Sequence, residues 1–398
     1  MAVAAIEELG VELEREWAAV DYELGAFPEI CASRLQGARL PTRIDAEDVV
    51  RAVFAGGLPQ QLDPDARFGQ PPVTLYRSPR FYIDALFWVD GTTAIHDHAF
   101  SGAFQVLAGQ SIETTFSFAP SRDVDGRMRL GDLDVRGSAL RAVGDVRAVP
   151  AGPAYIHSLF HLARPSVTLV VRTYRDPSPE IQLAYSSAGI AFDKNDEDPV
   201  SDRFVQILEM LRKTEHPGFE VLAGDLVAAT EPHTAFAILR SCAKLPDRDL
   251  LHRLTGRVAD ADTGRRIGLW LTEQRRIDFL ISRRGLVRKP ELRFLLAVLL
   301  NARRRSDALA LVAGFSPGAN PARQIAAWLA ELASTTMRLQ VGSAPFEPNV
   351  LGLPVFGPGC EDALADQLAG RNLAPTPETE AFIDRLRRLP ALEPLFAG

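Results

Sequence analysis

The chain has 398 residues, 46% of them apolar and 24% charged, with a net charge of -7. That length can hold two or three separate cores, and the acidic balance argues against general binding to nucleic acid. Three cysteines, at 31, 242 and 360, are too few and too scattered for a disulfide framework and fit a reducing cytoplasm.

Residues 1–66 read as helical. The opening stretch MAVAAIEELGVELEREW is acidic and amphipathic, without the basic and apolar regions of a signal peptide. Ile6, Leu9, Leu13 and Trp17 recur at three- and four-residue steps, one face of a helix. Asp45 is placed to cap a further helix carrying Val49, Val50 and Val53. These helices are expected to pack on the next region of the chain.

Between residues 67 and 192 the apolar period changes to two. FYIDALFWV (81–89), SIETTFSF (111–118), RMRL (127–130), ALRAV (139–143), SVTLVVRTY (166–174) and IQLAY (181–185) all read as strands. In SIETTFSF, Ile112, Thr114, Phe116 and Phe118 share one face. Gly109-Gln110 reads as a hairpin turn. This spacing suits an antiparallel sandwich or barrel.

Four of the seven histidines, 96, 98, 157 and 161, fall in this region. On a strand, residues i and i+2 face the same way, so His96 and His98 present their imidazoles together. Imidazole suits Fe, Zn, Cu or Ni, and such convergence is what a metal needs. Asp97 between them points to the opposite face and reads as a solvated or sheet-pairing carboxylate. His157 and His161 follow Gly144 and Pro150-x-Gly152, a run that turns the chain into a new strand. Histidines 216, 233 and 252 are dispersed among helices and read as structural.

The stretch from Gly91 through His96-x-His98 to Gly109 resembles the first cupin motif. Gly144, Pro150-x-Gly152 and His157 resemble the second, with His161 where that motif commonly carries Asn. The resemblance covers roughly 71–190 and implies an antiparallel cupin β-barrel (jelly roll). Within the cupins, WVDGTTAIHDHAFSGAFQVLAGQSIETTF is similar to the corresponding block of cysteine dioxygenases. Many cupins place a metal-binding Glu at the position held here by Gly102; thiol dioxygenases carry Cys or Gly.

The likeness implies a site of three neutral histidines, His96, His98 and His157, holding Fe(II), with Zn, Mn or Ni as alternatives. His161 is an alternative ligand or an orienting neighbour. The implied reaction is oxidation of a small thiol, or a related sulfur or amino-acid substrate, by O2. Three neutral imidazoles leave a divalent ion its full charge, which favours an anionic chelating substrate. The Ser-His-Tyr series of that group falls on Val170, Arg172 and Tyr174, so only the tyrosine is retained. Tyr174 is the implied hydrogen-bond donor to the reactants. Arg77 is the best match for the carboxylate-binding arginine, with Arg80 and Arg172 as further options; a planar guanidinium fork suits a carboxylate. The alternatives are a non-oxidative cupin lyase, isomerase or hydrolase, and a non-catalytic ligand-binding cupin whose helices dock a partner.

FDKNDEDPVSD (192–202) reads as a linker, and residues 198–398 as an all-α region. The expected class is therefore α+β, a cupin barrel between N-terminal helices and a helical C-terminal domain. FLLAVLL (294–300) is far too short to span a membrane. Residues 253–305 carry fourteen Lys or Arg against five Asp or Glu. Such a run reads first as solvated helix faces. The sharper reading is a docking face for an acidic protein or peptide; nucleic acid is a weaker reading, because the region lacks the interleaved aromatics that stack bases. GSAPFEPNVLGLPVFGPG (342–359) reads as an ordered surface loop that could cover a pocket. The expectation is a soluble cytoplasmic protein acting on a small molecule, away from nucleic acid and membrane.

Overall fold

A computed structural model describes residues 2–62, 69–89, 93–177, 181–193, 198–244, 247–335, 339–341, 344–346, 349–371 and 376–397. Gly91 of the first motif, residues 194–197 of the linker, and residues 342–343 and 347–348 of the Pro/Gly-rich loop lie outside the described residues. The chain forms two compact units, residues 1–136 with 141–270, and residues 137–140 with 271–398.

Three helices open the first unit: α1 (Ala2–Ala18), α2 (Phe27–Ala38) and α3 (Ala46–Ala55). The apolar stripe of α1 is buried along Ile6, Leu9, Leu13 and Trp17. Asp45 caps α3: its side chain accepts from the Asp48 amide, and the Asp48 carboxylate accepts from the Asp45 amide.

Eleven strands come next. They are β1 (Pro72–Arg77), β2 (Phe81–Trp88), β3 (Ile95–His98), β4 (Gly102–Ala108), β5 (Ser111–Asp123), β6 (Met128–Arg141), β7 (Val146–Val149), β8 (Gly152–His161), β9 (Ser166–Thr173), β10 (Leu183–Tyr185) and β11 (Ile190–Asp193). One sheet has the order β1-β2-β9-β4-β7; the other closes as a ring, β10-β11-β6-β5-β8-β3. The antiparallel barrel with N-terminal helices and a helical C-terminal region expected from the sequence is the fold observed.

Every residue of β2 is buried, and alternation explains how. Phe81, Ile83, Ala85 and Phe87 join Ala103, Leu107, Val167, Leu169 and Val171 in one core with the N-terminal helices. The alternate residues Leu86 and Trp88 join Phe104, Val149, Leu159 and Val170 in a second core, which brings β8 of the ring onto the sheet. The sheet thus has helices on one face and the barrel interior on the other.

RMRL and ALRAV, read separately, are parts of one strand. β6 runs fourteen residues, and its middle keeps the two-residue alternation with Asp132, Asp134 and Arg136 exposed. Beyond the barrel the first unit continues through α4 (Pro199–Lys213), α5 (Phe219–Ala229), α6 (Pro232–Ser241), α7 (Arg248–Thr255) and the beginning of α8 (Ala261–Leu286).

The second unit contains the rest of α8, then α9 (Pro290–Asn301), α10 (Arg305–Phe315), α11 (Pro321–Ser334), α12 (Cys360–Leu368) and α13 (Pro377–Arg387). It is not all-α as expected: β12 (Leu339–Val341) pairs antiparallel with β13 (Ala344–Phe346), strands of three residues that are too short to show a period in the sequence. Its core includes the buried run of α9 from Phe294 to Leu300. In the described part of the Pro/Gly-rich loop, Asn349 bonds both the amide and the carbonyl of Leu353, and Phe356 packs edge-on against Phe382. Among the described residues, no helix is long and apolar enough to cross a membrane.

Candidate metal centre

β3 supplies His96 and His98, and β8 supplies His157 directly opposite His96. The register therefore sets the third imidazole beside the first. The three ring centroids stand 4.7, 5.0 and 5.0 Å apart, a near-equilateral triangle. One potential ligand nitrogen from each ring lies within 4.8 Å of the others, and all three residues are buried.

Tautomers follow from the partners. His96 Nδ1 lies 2.7 Å from the Ala94 carbonyl. A carbonyl only accepts, so Nδ1 carries the proton and Nε2 keeps its lone pair for a metal. His157 Nδ1 stands 3.3 Å from Glu113 Oε1, which assigns His157 the same tautomer. A set of imidazole nitrogen donors fits a divalent first-row metal such as Fe, Zn or Ni.

Glu113, on β5, lies in the candidate site and is not picked out by the sequence. Its side chain is fully excluded from solvent and also accepts from Tyr155, Arg141 and Arg147. Burial alone would push its carboxyl up. The hydrogen bond from His157, the Arg141 charge and the hydrogen bond from Tyr155 outweigh burial and hold it at about 2. Tyr155 moves the other way: burial, then the adjoining carboxylate, push its hydroxyl well above the usual range. Alternation in SIETTFSF puts Glu113 and Thr115 on the face opposite Ile112 and Phe116, and only the register with β8 turns that face toward His157.

The remaining sequence candidates separate in space. His161 lies four residues along β8, roughly 13 Å at strand rise, stacked on Trp88 with centroids 4.5 Å apart. Both its ring nitrogens are buried without hydrogen-bond partners, and burial lowers its pKa to about 3. It is outside the histidine triangle. Asp97 does face away from the imidazoles, but it is buried rather than solvated. It accepts from the Leu183 amide (2.8 Å) and the Tyr185 hydroxyl (2.7 Å), tying β3 to β10.

Arg172 projects from β9 beside Phe100 and Tyr82, its guanidinium carbon 5.0 and 4.8 Å from their ring centres. Phe100 in turn lies 4.8 Å from His98. Asp84 Oδ2 is 3.7 Å from Arg172 Nη2. Arg77 and Tyr174 meet each other further out: Arg77 Nε donates to the Tyr174 hydroxyl at 3.4 Å, and that hydroxyl donates to the Ser78 carbonyl at 2.8 Å. Tyr174 is 40% exposed and lies 5.0 Å from the Tyr82 ring. Arg80 is held over Tyr22 of the N-terminal segment.

Gly102 cannot be replaced by any side chain without movement, because a Cβ there would lie 1.9 Å from the Val171 carbonyl oxygen. The backbone of β9 closes this position, so it carries no side chain toward the histidines.

Solved structures similar to the chain include the TT1209 protein of Thermus thermophilus, at 20% identity. That match covers 30% of this chain and 98% of the other, with a TM-score of 0.19. A hydroquinone 1,2-dioxygenase from Sphingomonas sp. TTNP3, with 4-hydroxybenzoate bound, is 14% identical over 27% of this chain and 68% of its own (TM-score 0.22). A cupin 2 conserved barrel domain protein from Rhodopseudomonas palustris is 14% identical over 33% and 78%, also with a TM-score of 0.22. No family model matches the chain, and no curated protein does.

Proposed function

We propose that this chain is a cupin metalloenzyme, a cysteine dioxygenase-like oxygenase that uses Fe(II) and O2 on a small thiol or related amino-acid substrate. The observation that carries the reading is the buried triangle of His96, His98 and His157, which supplies three nitrogen donors and, among the described residues, no carboxylate ligand. Ferrous iron held there would supply a Lewis-acidic centre able to activate O2 and a sulfur substrate.

The chain's own residues take the other roles. Arg172 binds the substrate's anionic group, its guanidinium within about 10 Å of the His98 ring when the two ring contacts are laid end to end. Phe100 and Tyr82 flank that guanidinium and keep water from the path between it and the histidines. Burial raises the Tyr82 hydroxyl to about 12, so it stays a neutral donor. Arg77 and Tyr174, bonded to each other, form the outer rim and receive the anion first.

The test is anaerobic loading with Fe(II), followed by O2 uptake on addition of small thiols bearing a carboxylate. Uptake in the wild type, lost in His96→Ala and showing a raised KM in Arg172→Met, supports the reading. Stoichiometric iron with no uptake for any such thiol rejects the oxygenase and leaves a non-oxidative metalloenzyme.

A further inference from the structure

The three-histidine reading assigns no role to a carboxylate buried beside it. On β5, Thr115 stands opposite His157 and Glu113 opposite Leu159, so Glu113 shares the inward face of the third histidine. Glu113 Oε1 accepts from His157 Nδ1 and from the Tyr155 hydroxyl. Its Oε2 accepts from Arg141 Nε at 2.6 Å and Arg147 Nε at 3.3 Å. An ionised carboxylate only accepts, so the imidazole must offer it Nδ1–H. Nε2 is then the one His157 atom left to face His96 and His98. A ring hydrogen-bonded on one side also cannot flip without breaking that bond.

We infer that Glu113 is a positioning residue of the metal centre: it fixes the tautomer and orientation of His157, and Arg141 and Tyr155 hold it in place to do so. This rests on the three-histidine reading above. The site's affinity for a divalent cation is thereby set partly by a residue that never touches the cation. Oriented ligands bind without first being ordered, which is why loss of such partners generally weakens metal sites by about 10–100-fold.

The experiment titrates the full-length, metal-free protein with Zn2+ against a chromophoric chelator. In parallel, 15N NMR of the histidine-labelled, metal-free protein reads the His157 tautomer, identified by its loss in His157→Gln. Glu113→Leu is expected to weaken Zn2+ binding about 10–100-fold and to turn a single Nδ1–H tautomer into a mixture. Glu113→Gln keeps an acceptor oxygen and should fall between. If Arg141, stranded in Glu113→Leu, prevents folding, the Glu113→Leu/Arg141→Met double variant and Glu113→Gln carry the test. Unchanged affinity with an unchanged tautomer overturns the inference while leaving the three-histidine site intact. A wild type that binds no Zn2+ sinks the three-histidine reading instead, and the tautomer spectra then decide by themselves whether Glu113 orients the ring.

Discussion

At Asp97, a carboxylate flanked by two candidate ligands serves the sheet. Replacing it with Ala strands the Leu183 amide and the Tyr185 hydroxyl, both buried. Leaving buried donors unmet costs about 1–3 kcal/mol, so Asp97→Ala should lower the urea midpoint clearly. Asp97→Asn, which keeps an acceptor, should lose much less. Gly102→Ala meets backbone rather than a movable side chain, and overpacking of this kind costs about 1–3 kcal/mol or more. Thermal melts of that variant should show the loss without any gain in metal affinity. At this scale the sequence was informative wherever residue type and spacing coincide, as in His96-x-His98 and Gly144…Pro150-x-Gly152-x4-His157. It was silent at Glu113, because a lone Glu in an alternating strand looks like an exposed one until the partner strand shows which face is inside.

Among elements, α8 carries the clearest ionic device. Glu273 pairs with Arg276 at 2.8 Å and with Arg303 at 2.5 Å, and Arg276 also donates to the Leu299 carbonyl. Burial pushes the Glu273 carboxyl up, but the hydrogen bond from Arg276 and the charge of Arg303 outweigh it and hold it below its ordinary value. A carboxyl depressed in the folded state contributes fully above its unfolded value and loses that contribution as pH falls through the folded one. Glu273→Gln leaves the buried Arg276 uncompensated, a loss of about 3 kcal/mol at neutral pH. Denaturant midpoints of variant and wild type should converge as the solution is acidified; parallel curves would contradict the assignment. Strand and helix identity was readable where one face is apolar, as in α1 and β5. It did not single out α2, which has no capping side chain and only weak amphipathicity, or β1, which opens on a proline and runs only six residues. It also split β6 in two, because the run of aspartates in its middle hides a strand that is wet on one side.

For the whole molecule, a ligand bound only by the folded state adds stability by mass action, about 2.7 kcal/mol at a hundredfold excess over Kd. Saturating Zn2+ should therefore raise the melting temperature of the wild type, and chelator should reverse the rise. Neither should occur in His98→Ala, and acid should weaken the effect because the imidazoles must be deprotonated to bind. Seven of the fourteen basic residues in 253–305 are held in ion pairs with carboxylates of this chain. In the first unit Arg253 meets Glu220, Arg257 meets Asp225, and Arg265 and Arg266 meet Asp262. In the second, Arg276 and Arg303 share Glu273, and Lys289 meets Glu331. Composition shows the excess of arginine but not the carboxylates waiting elsewhere in the chain, which is why the charge run was legible and these pairs were not.

The N-terminal helices bury one whole side of the β1-β2-β9-β4-β7 sheet, from Val73 through Phe81 and Leu107 to Val171. Anyone trimming the protein to a minimal histidine-bearing fragment beginning near residue 71 would uncover that side at a stroke. The product would be a sticky slab rather than a smaller folded protein, so crystallisation or engineering work on the centre should keep the first helix attached.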